Sequence, residues 1–202
     1  MPKVVDHDAR REELIAATWR TIRRLGLAGT TTREIAKEAG YAHGLLAYYF
    51  PDKDAILDAA LERAYVAARE QLTARISDRS GLDAVREVLL TALPVGDAAI
   101  ETQVLVMAWG TMVTSESRRA RRYATFREWR DTVRLLVRIA AAVGEMTGEQ
   151  EPEEIAEALV ALVDGLTLHW VMNPAEYPAS RLIATVDGAL DRYRPHHPSS
   201  GT

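Results

Sequence analysis

The sequence predicts an all-α protein of about nine helices: a small N-terminal three-helix unit followed by a larger helical domain. Three observations predict it. Apolar residues recur at spacings of three and four in one segment after another. No stretch alternates apolar and polar residues as a half-buried strand does. Glycine and proline fall at the ends of the periodic segments, where helices stop and start. The 202 residues are 48% hydrophobic and 27% charged, an ordinary globular balance with enough material for a real core. There is no cysteine, which excludes disulfides and thiolate chemistry.

Residues 1–7 read as a loose arm. A first helix is expected over 8–25, with Leu14, Ile15, Thr18, Trp19, Ile22 and Leu25 on one stripe, ended by Gly26 and Gly29. Its other face carries Arg10, Arg11, Arg20, Arg23 and Arg24. That face is either solvated and paired with acids such as Glu12 and Glu13, or partly turned to phosphate.

The run 31–53, TTREIAKEAGYAHGLLAYYFPDK, organises the rest. Thr32 is expected as the N-cap of a short helix with Ile35, Ala36 and Ala39 on one face. Gly40 stops that helix, because glycine takes the left-handed conformation of a C-terminal cap without penalty. A second short helix over 42–49 turns Leu45, Leu46 and Phe50 towards a core, and Pro51 ends it. Two short helices about a glycine turn make a helix-turn-helix, whose second helix enters the DNA major groove. Gly44 inside the second helix costs about 1 kcal/mol relative to alanine, which close approach of a sugar-phosphate backbone would justify.

Beyond Lys53 a long helix is expected to 77, with Ile56, Leu57, Ala60, Leu61, Tyr65 and Leu72 at helical spacing. Ser80-Gly81 breaks it, and a helix over 82–93 ends at Pro94. Asp97 is a plausible cap for a helix to 114 that is apolar nearly all round and therefore central to a core. The next helix, 117–143, is arginine-rich in its first half and apolar in its second. Tyr123, Phe126 and Trp129 interrupt the arginines at core-like spacing, which favours a solvated face over a second nucleic-acid site. Pro152 fits the first turn of a helix to 172. A last helix covers 179–193, followed by a Pro- and Ser-rich tail expected to be disordered.

The run Thr30-Thr31-Thr32, the Ile35-Ala36-Lys37-Glu38-Ala39-Gly40 helix, Gly44 to Ala47, and Tyr48-Tyr49-Phe50 with Lys53 resemble the DNA-binding domain of the TetR family of bacterial transcriptional regulators. Ala47, where that family usually has tyrosine, and Tyr41, where a small residue or valine is commoner, depart from it. The resemblance implies a DNA-binding domain over 1–53, an effector-binding and dimerisation domain over 54–194, and a tail over 195–202. It implies that Thr32, Tyr48, Tyr49 and Lys53 hold phosphates with Arg33 beside them, and that Tyr41, Ala42, His43, Gly44 and Leu45 face base edges. It also implies a homodimer through helices 153–172 and 179–193, where Gly165 and Gly188 would permit close approach, and a double-stranded, palindromic operator. Asp164-Gly165-Leu166 and the Asn173-Pro174 loop resemble the branch of that family responsive to choline.

An effector cavity is expected among Tyr65, Gln103, Met107, Trp109, Met112, Phe126, Trp129, His169 and Trp170. Glu101 or Asp164 would be a counter-charge for a cation held on ring faces. Singly, each of these residues also fits ordinary core packing. A repressor released by a small molecule is therefore expected. The alternative is a helical small-molecule-binding or interaction protein without DNA binding.

The net charge of −4 hides an uneven distribution. Residues 1–53 hold nine Lys and Arg against seven Asp and Glu, and the rest hold 16 against 22, a mild basic excess at the DNA end. No nucleophile elbow, P-loop, dinucleotide fingerprint or zinc-protease motif occurs. Of the five histidines, only His169 near Asp164 is a candidate for buried acid–base work, and a core hydrogen bond is its simpler reading. No catalysis, cofactor or metal is expected. Residues 1–13 lack the apolar segment of a signal peptide, and no unbroken apolar run spans a bilayer. A cytoplasmic protein without membrane contact is expected.

Overall fold

The computed structural model describes residues 7–95, 98–112, 116–147 and 149–195. The expected Asp97 cap, the helix end at 114 and the tail beyond 195 lie outside them. Among the described residues there are nine helices and no strand. They are α1 (His7–Gly29), α2 (Thr32–Glu38), α3 (His43–Tyr49), α4 (Lys53–Ile76), α5 (Gly81–Thr91), α6 (Ala98–Met112), α7 (Glu116–Ala142), α8 (Pro152–Met172) and α9 (Ala179–Asp191).

α1, α2, α3 and the start of α4 share one small core. Leu14, Ile15, Ile35, Leu46, Phe50, Ile56 and Ala60 pack together in it. Because Ile56 and Ala60 belong to α4, the long helix is part of the head as well as of the body. Thr18 and Thr21, fully buried, donate their hydroxyls to Leu14 O and Ala17 O at 2.9 and 2.8 Å, so no polar atom is stranded there. α1 does not end at Leu25: it kinks at Gly26 (φ 69°) and completes one more helical stretch to Gly29. The reversed φ is what glycine permits and an alanine would resist.

The body is built on α5, α7, α8 and α9. Val85, Val88, Leu89, Val133, Val137, Leu159, Val163, Leu182 and Val186 form its centre. Pro152 occupies the first turn of α8 as expected. α8 is long and apolar enough to cross a bilayer, but one of its faces, from Ile155 to Trp170, is packed into this core. A third, smaller cluster joins head to body: Ile22 of α1, Leu57 and Leu61 of α4, and Val104 of α6, with Trp19, Tyr65, Ile100 and Leu105 against it. An ion pair from Arg23 to Glu101 Oε1 (3.7 Å) spans the same joint.

Candidate nucleic-acid interface

The turn between α2 and α3 is made by a Schellman motif. Gly40 takes φ 74°, its N–H bonds Lys37 O at 3.1 Å, and the Tyr41 N–H reaches back to Ala36 O at 2.9 Å. The N-cap of α2 is Thr31, not Thr32: Thr31 is extended (φ −122°, ψ 160°) and its hydroxyl accepts from Glu34 N, at 3.2 Å. Thr32 is already the first helical residue, so its hydroxyl is released outward, where it lies 3.0 Å from His43 Nε2. α3 starts at His43 with no side-chain cap from Ala42.

α3 is anchored by Leu46 (1% exposed) and by the following Phe50 (2%). Opposite them, Ala42, His43, Gly44, Ala47 and Tyr48 are exposed and Leu45 is half-buried. A Cβ added at Gly44 meets nothing within 4 Å, so nothing inside the chain requires glycine there. Tyr48 (72% exposed) and Tyr49 pack edge to face, 5.2 Å between centroids. His7 Nδ1 lies 3.2 Å from the Tyr49 hydroxyl, tying the start of α1 to the end of α3.

Several expected DNA contacts also have partners within the chain. Lys53 Nζ donates to Leu27 O at 3.1 Å, closing the carbonyl end of α1 and leaving two of its three protons free. Tyr41 donates its hydroxyl to Glu13, with the Arg10 guanidinium 4.6 Å over its ring; that carboxylate holds the Tyr41 phenol above its usual pKa. The open question about the α1 arginines resolves towards bracing. Arg20 pairs with Glu38 (3.1 Å) and Arg24 with Glu34 and Glu38 (3.5 and 3.4 Å). Arg11 lies 4.8 Å over Phe50, and Arg23 reaches Glu101. Arg33 and Lys37, one turn apart on α2, are exposed and make no ion pair among the described residues. Lys37 was missed by the sequence reading, since nothing local separates a free lysine from a paired one.

The residues expected around an effector do not all meet. Phe126 and Trp129 pack against each other (6.2 Å) and, like Trp170, against the main core. Tyr65 lies instead at the head–body joint. Trp109 is half-buried and Gln103 exposed. His169 is exposed and stacks on Tyr177 at 5.0 Å; it is not in the core. The side chains of Met107 and Met112 lie outside the described residues. Glu101 Oε2 and Trp129 Nε1 are buried without a hydrogen-bond partner, an arrangement that a bound polar molecule would relieve. Burial raises the carboxyl of half-buried Asp164 above its ordinary pKa. A cleft of about 370 Å³ lies elsewhere, between α8, the end of α9 and the residues just before α8, with Thr147, Glu149, Gln150, Ala158, Leu162 and Tyr193 among its walls.

A helix-turn-helix on a three-helix head, carried by a larger helical body, defines a DNA-binding transcriptional regulator. Comparison with known proteins agrees. Residues 14–60 match the family described as bacterial regulatory proteins, tetR family, and residues 81–195 match the BetI-type transcriptional repressor C-terminal family. The chain is 30% identical over 190 residues to the HTH-type transcriptional regulator PksA of Bacillus subtilis (strain 168), covering 90% of this chain and 88% of that protein. It is 27% identical over 196 residues to the regulator BetI of Paraburkholderia xenovorans (strain LB400), covering 95% and 96%. Its fold resembles a transcriptional regulator from Saccharomonospora viridis solved in complex with choline, with a TM-score of 0.84 at 21% identity over 95% of this chain and all of that one. A regulator from Rhodococcus sp. Rha1 gives a TM-score of 0.71 at 30% identity, covering 93% and 99%. The chain belongs to the TetR family, whose members are ligand-responsive DNA-binding regulators and not enzymes.

Proposed function

We propose that two copies of this chain, paired through α8 and α9, place their α3 helices in successive major grooves of a palindromic operator and repress transcription there. Ala42, His43, Gly44 and Leu45 face the bases, with Tyr41 held at the edge by Glu13. Thr32, Arg33, Tyr48, Tyr49 and Lys53 hold the phosphates that set register, while the groove contacts set sequence.

The observation that carries this reading is Gly44. As the second residue of α3 it favours the helix less than alanine would, and no neighbour within the chain occupies the space a side chain would take. A glycine costly to the fold and unneeded by it fits a backbone that something outside must approach. Gly44→Ala is therefore expected to raise the melting temperature while weakening binding to DNA from the chain's own upstream region. Gly44→Glu is expected to fold and to lose binding. Unchanged operator titrations for both variants would remove the reading.

The effector we propose is a small organic cation, with choline as the first compound to try. Glu101 offers a buried, unpartnered oxygen, Asp164 is a half-buried carboxylate, and Phe126 and Trp129 supply ring faces. Glu101 also touches the DNA-binding head through Arg23. A cation that draws the carboxylate inward loosens that pair, and the joint of Ile22, Leu57, Leu61 and Val104 passes the change to α1 and α4. Thermal-shift titration with choline tests this, and absence of stabilisation rejects choline.

A further inference from the structure

Three threonines stand together where α1 gives way to α2, and two of them engage their hydroxyls on the chain's own backbone. Thr30 donates to Gly26 O at 2.8 Å, and Thr31 accepts from Glu34 N at 3.2 Å. Thr32 is the first residue of α2. It has no carbonyl of its own helix four residues back, as Thr18 and Thr21 have in α1. Its hydroxyl instead crosses the turn to the ring of His43, the first residue of α3, 3.0 Å from Nε2. His43 is exposed, and its Nδ1 makes no hydrogen bond among the described residues. The contact thus joins a side chain placed at phosphate to one placed at the bases.

Counting protons decides what such a pair can read. A threonine hydroxyl carries one proton, and a neutral imidazole carries one N–H on one of its two nitrogens. In the free chain the bond can run either way, from hydroxyl to ring or from ring to hydroxyl. A phosphate oxygen only accepts. Once Thr32 gives its proton to phosphate, it can only accept from His43. Nε2 must then hold the ring proton, and Nδ1 is left as a bare acceptor. In the major groove an acceptor is satisfied by the amine of adenine or of cytosine. Against guanine O6 and N7, or thymine O4, it meets another acceptor.

We infer that Thr32, on gripping phosphate, fixes the tautomer of His43, and that His43 Nδ1 then selects adenine or cytosine over guanine or thymine at one position of each half-site. The inference rests on the DNA-binding reading above and adds the base class that His43 reads and the residue that sets it. A phosphate contact carries no sequence information by itself; here it conditions the contact that does. Thr32 is a positioning residue for His43.

Selection from a random duplex library at pH 8, above the range in which imidazoles ordinarily titrate, tests this. The parent protein is expected to disfavour guanine and thymine about tenfold at one position of each half-site. His43→Ala is expected to accept all four bases there and to keep its other preferences. Thr32→Val, which neither donates nor accepts, should relax the same position, and Thr32→Ser should restore the choice. Nitrogen NMR of the His43 ring in the complex should show the proton on Nε2. A parent that recovers no common sequence overturns the DNA-binding reading itself. A parent with a clear site at which neither His43→Ala nor Thr32→Val changes any position overturns the inference alone, as does a ring proton on Nδ1. Should His43→Ala recover no sequence, the Thr32 variants and the ring spectrum of the parent complex decide.

Discussion

Thr31 and Thr32 are chemically identical neighbours with different tasks. Thr31 satisfies a backbone N–H at the start of α2, so Thr31→Ala is expected to cost about 1 kcal/mol of stability, read by urea denaturation. Thr32 caps nothing; its hydroxyl meets His43. Thr32→Ala is expected to leave the urea midpoint unchanged and to weaken operator binding. Asp164 gives a pH-dependent case. Burial raises its pKa in the folded chain, so the native state holds the proton more tightly than the unfolded one. Stability from this group falls as pH rises from the ordinary aspartate value through the raised one, and the penalty is full above that window. Asp164→Asn is therefore expected to raise the melting temperature at neutral pH and to flatten its rise on acidification. A lower melting temperature at neutral pH would show that the carboxylate is compensated.

On the proposed reading, α6 is the element through which head and body exchange information. Val104 packs on Ile22, Leu57 and Leu61, and Glu101 one turn earlier reaches Arg23. The charge, rather than the shape, of Glu101 should matter for signalling. Glu101→Gln keeps the volume and removes the attraction for both Arg23 and a cation. It is expected to retain operator binding and lose release by whichever cation releases the parent protein, in a gel-shift competition. Full release from the Gln variant would show that Glu101 is not part of the coupling.

At the scale of the whole molecule, the proposed dimer engages DNA with two heads, so a cation lost from the sequence is lost twice from the complex. Each phosphate contact contributes about 0.9 to the slope of log K against log salt. Replacing both Arg33 and Lys37 by alanine is expected to lower that slope by up to about four contacts' worth across the dimer. Binding to specific and random duplexes should fall alike. A loss confined to the specific site would mean that these side chains read bases.

The helices, most of their ends and the helix-turn-helix were legible in the sequence. Periodicity, Gly40, Pro51 and Pro152 act on neighbours a few residues away, and such effects travel with the chain. Even locally the reading shifted by one residue at the α2 cap, because Thr30, Thr31 and Thr32 are equal candidates until the backbone fixes which is extended. Tertiary structure alone decided which cations are occupied. Arg20 and Arg24 meet α2, Arg23 meets α6, and Lys53 closes α1, while Arg33 and Lys37 make no ion pair among the described residues. It also decided that Tyr65 sits at the joint, that His169 faces outward, and that a cleft opens beside Ala158. The sequence by itself determined what kind of protein this is, since a short-range pattern makes the motif. Which side chains remain available to DNA, effector or a second copy depends on residues far apart in the chain meeting in space, and that only the folded arrangement supplies.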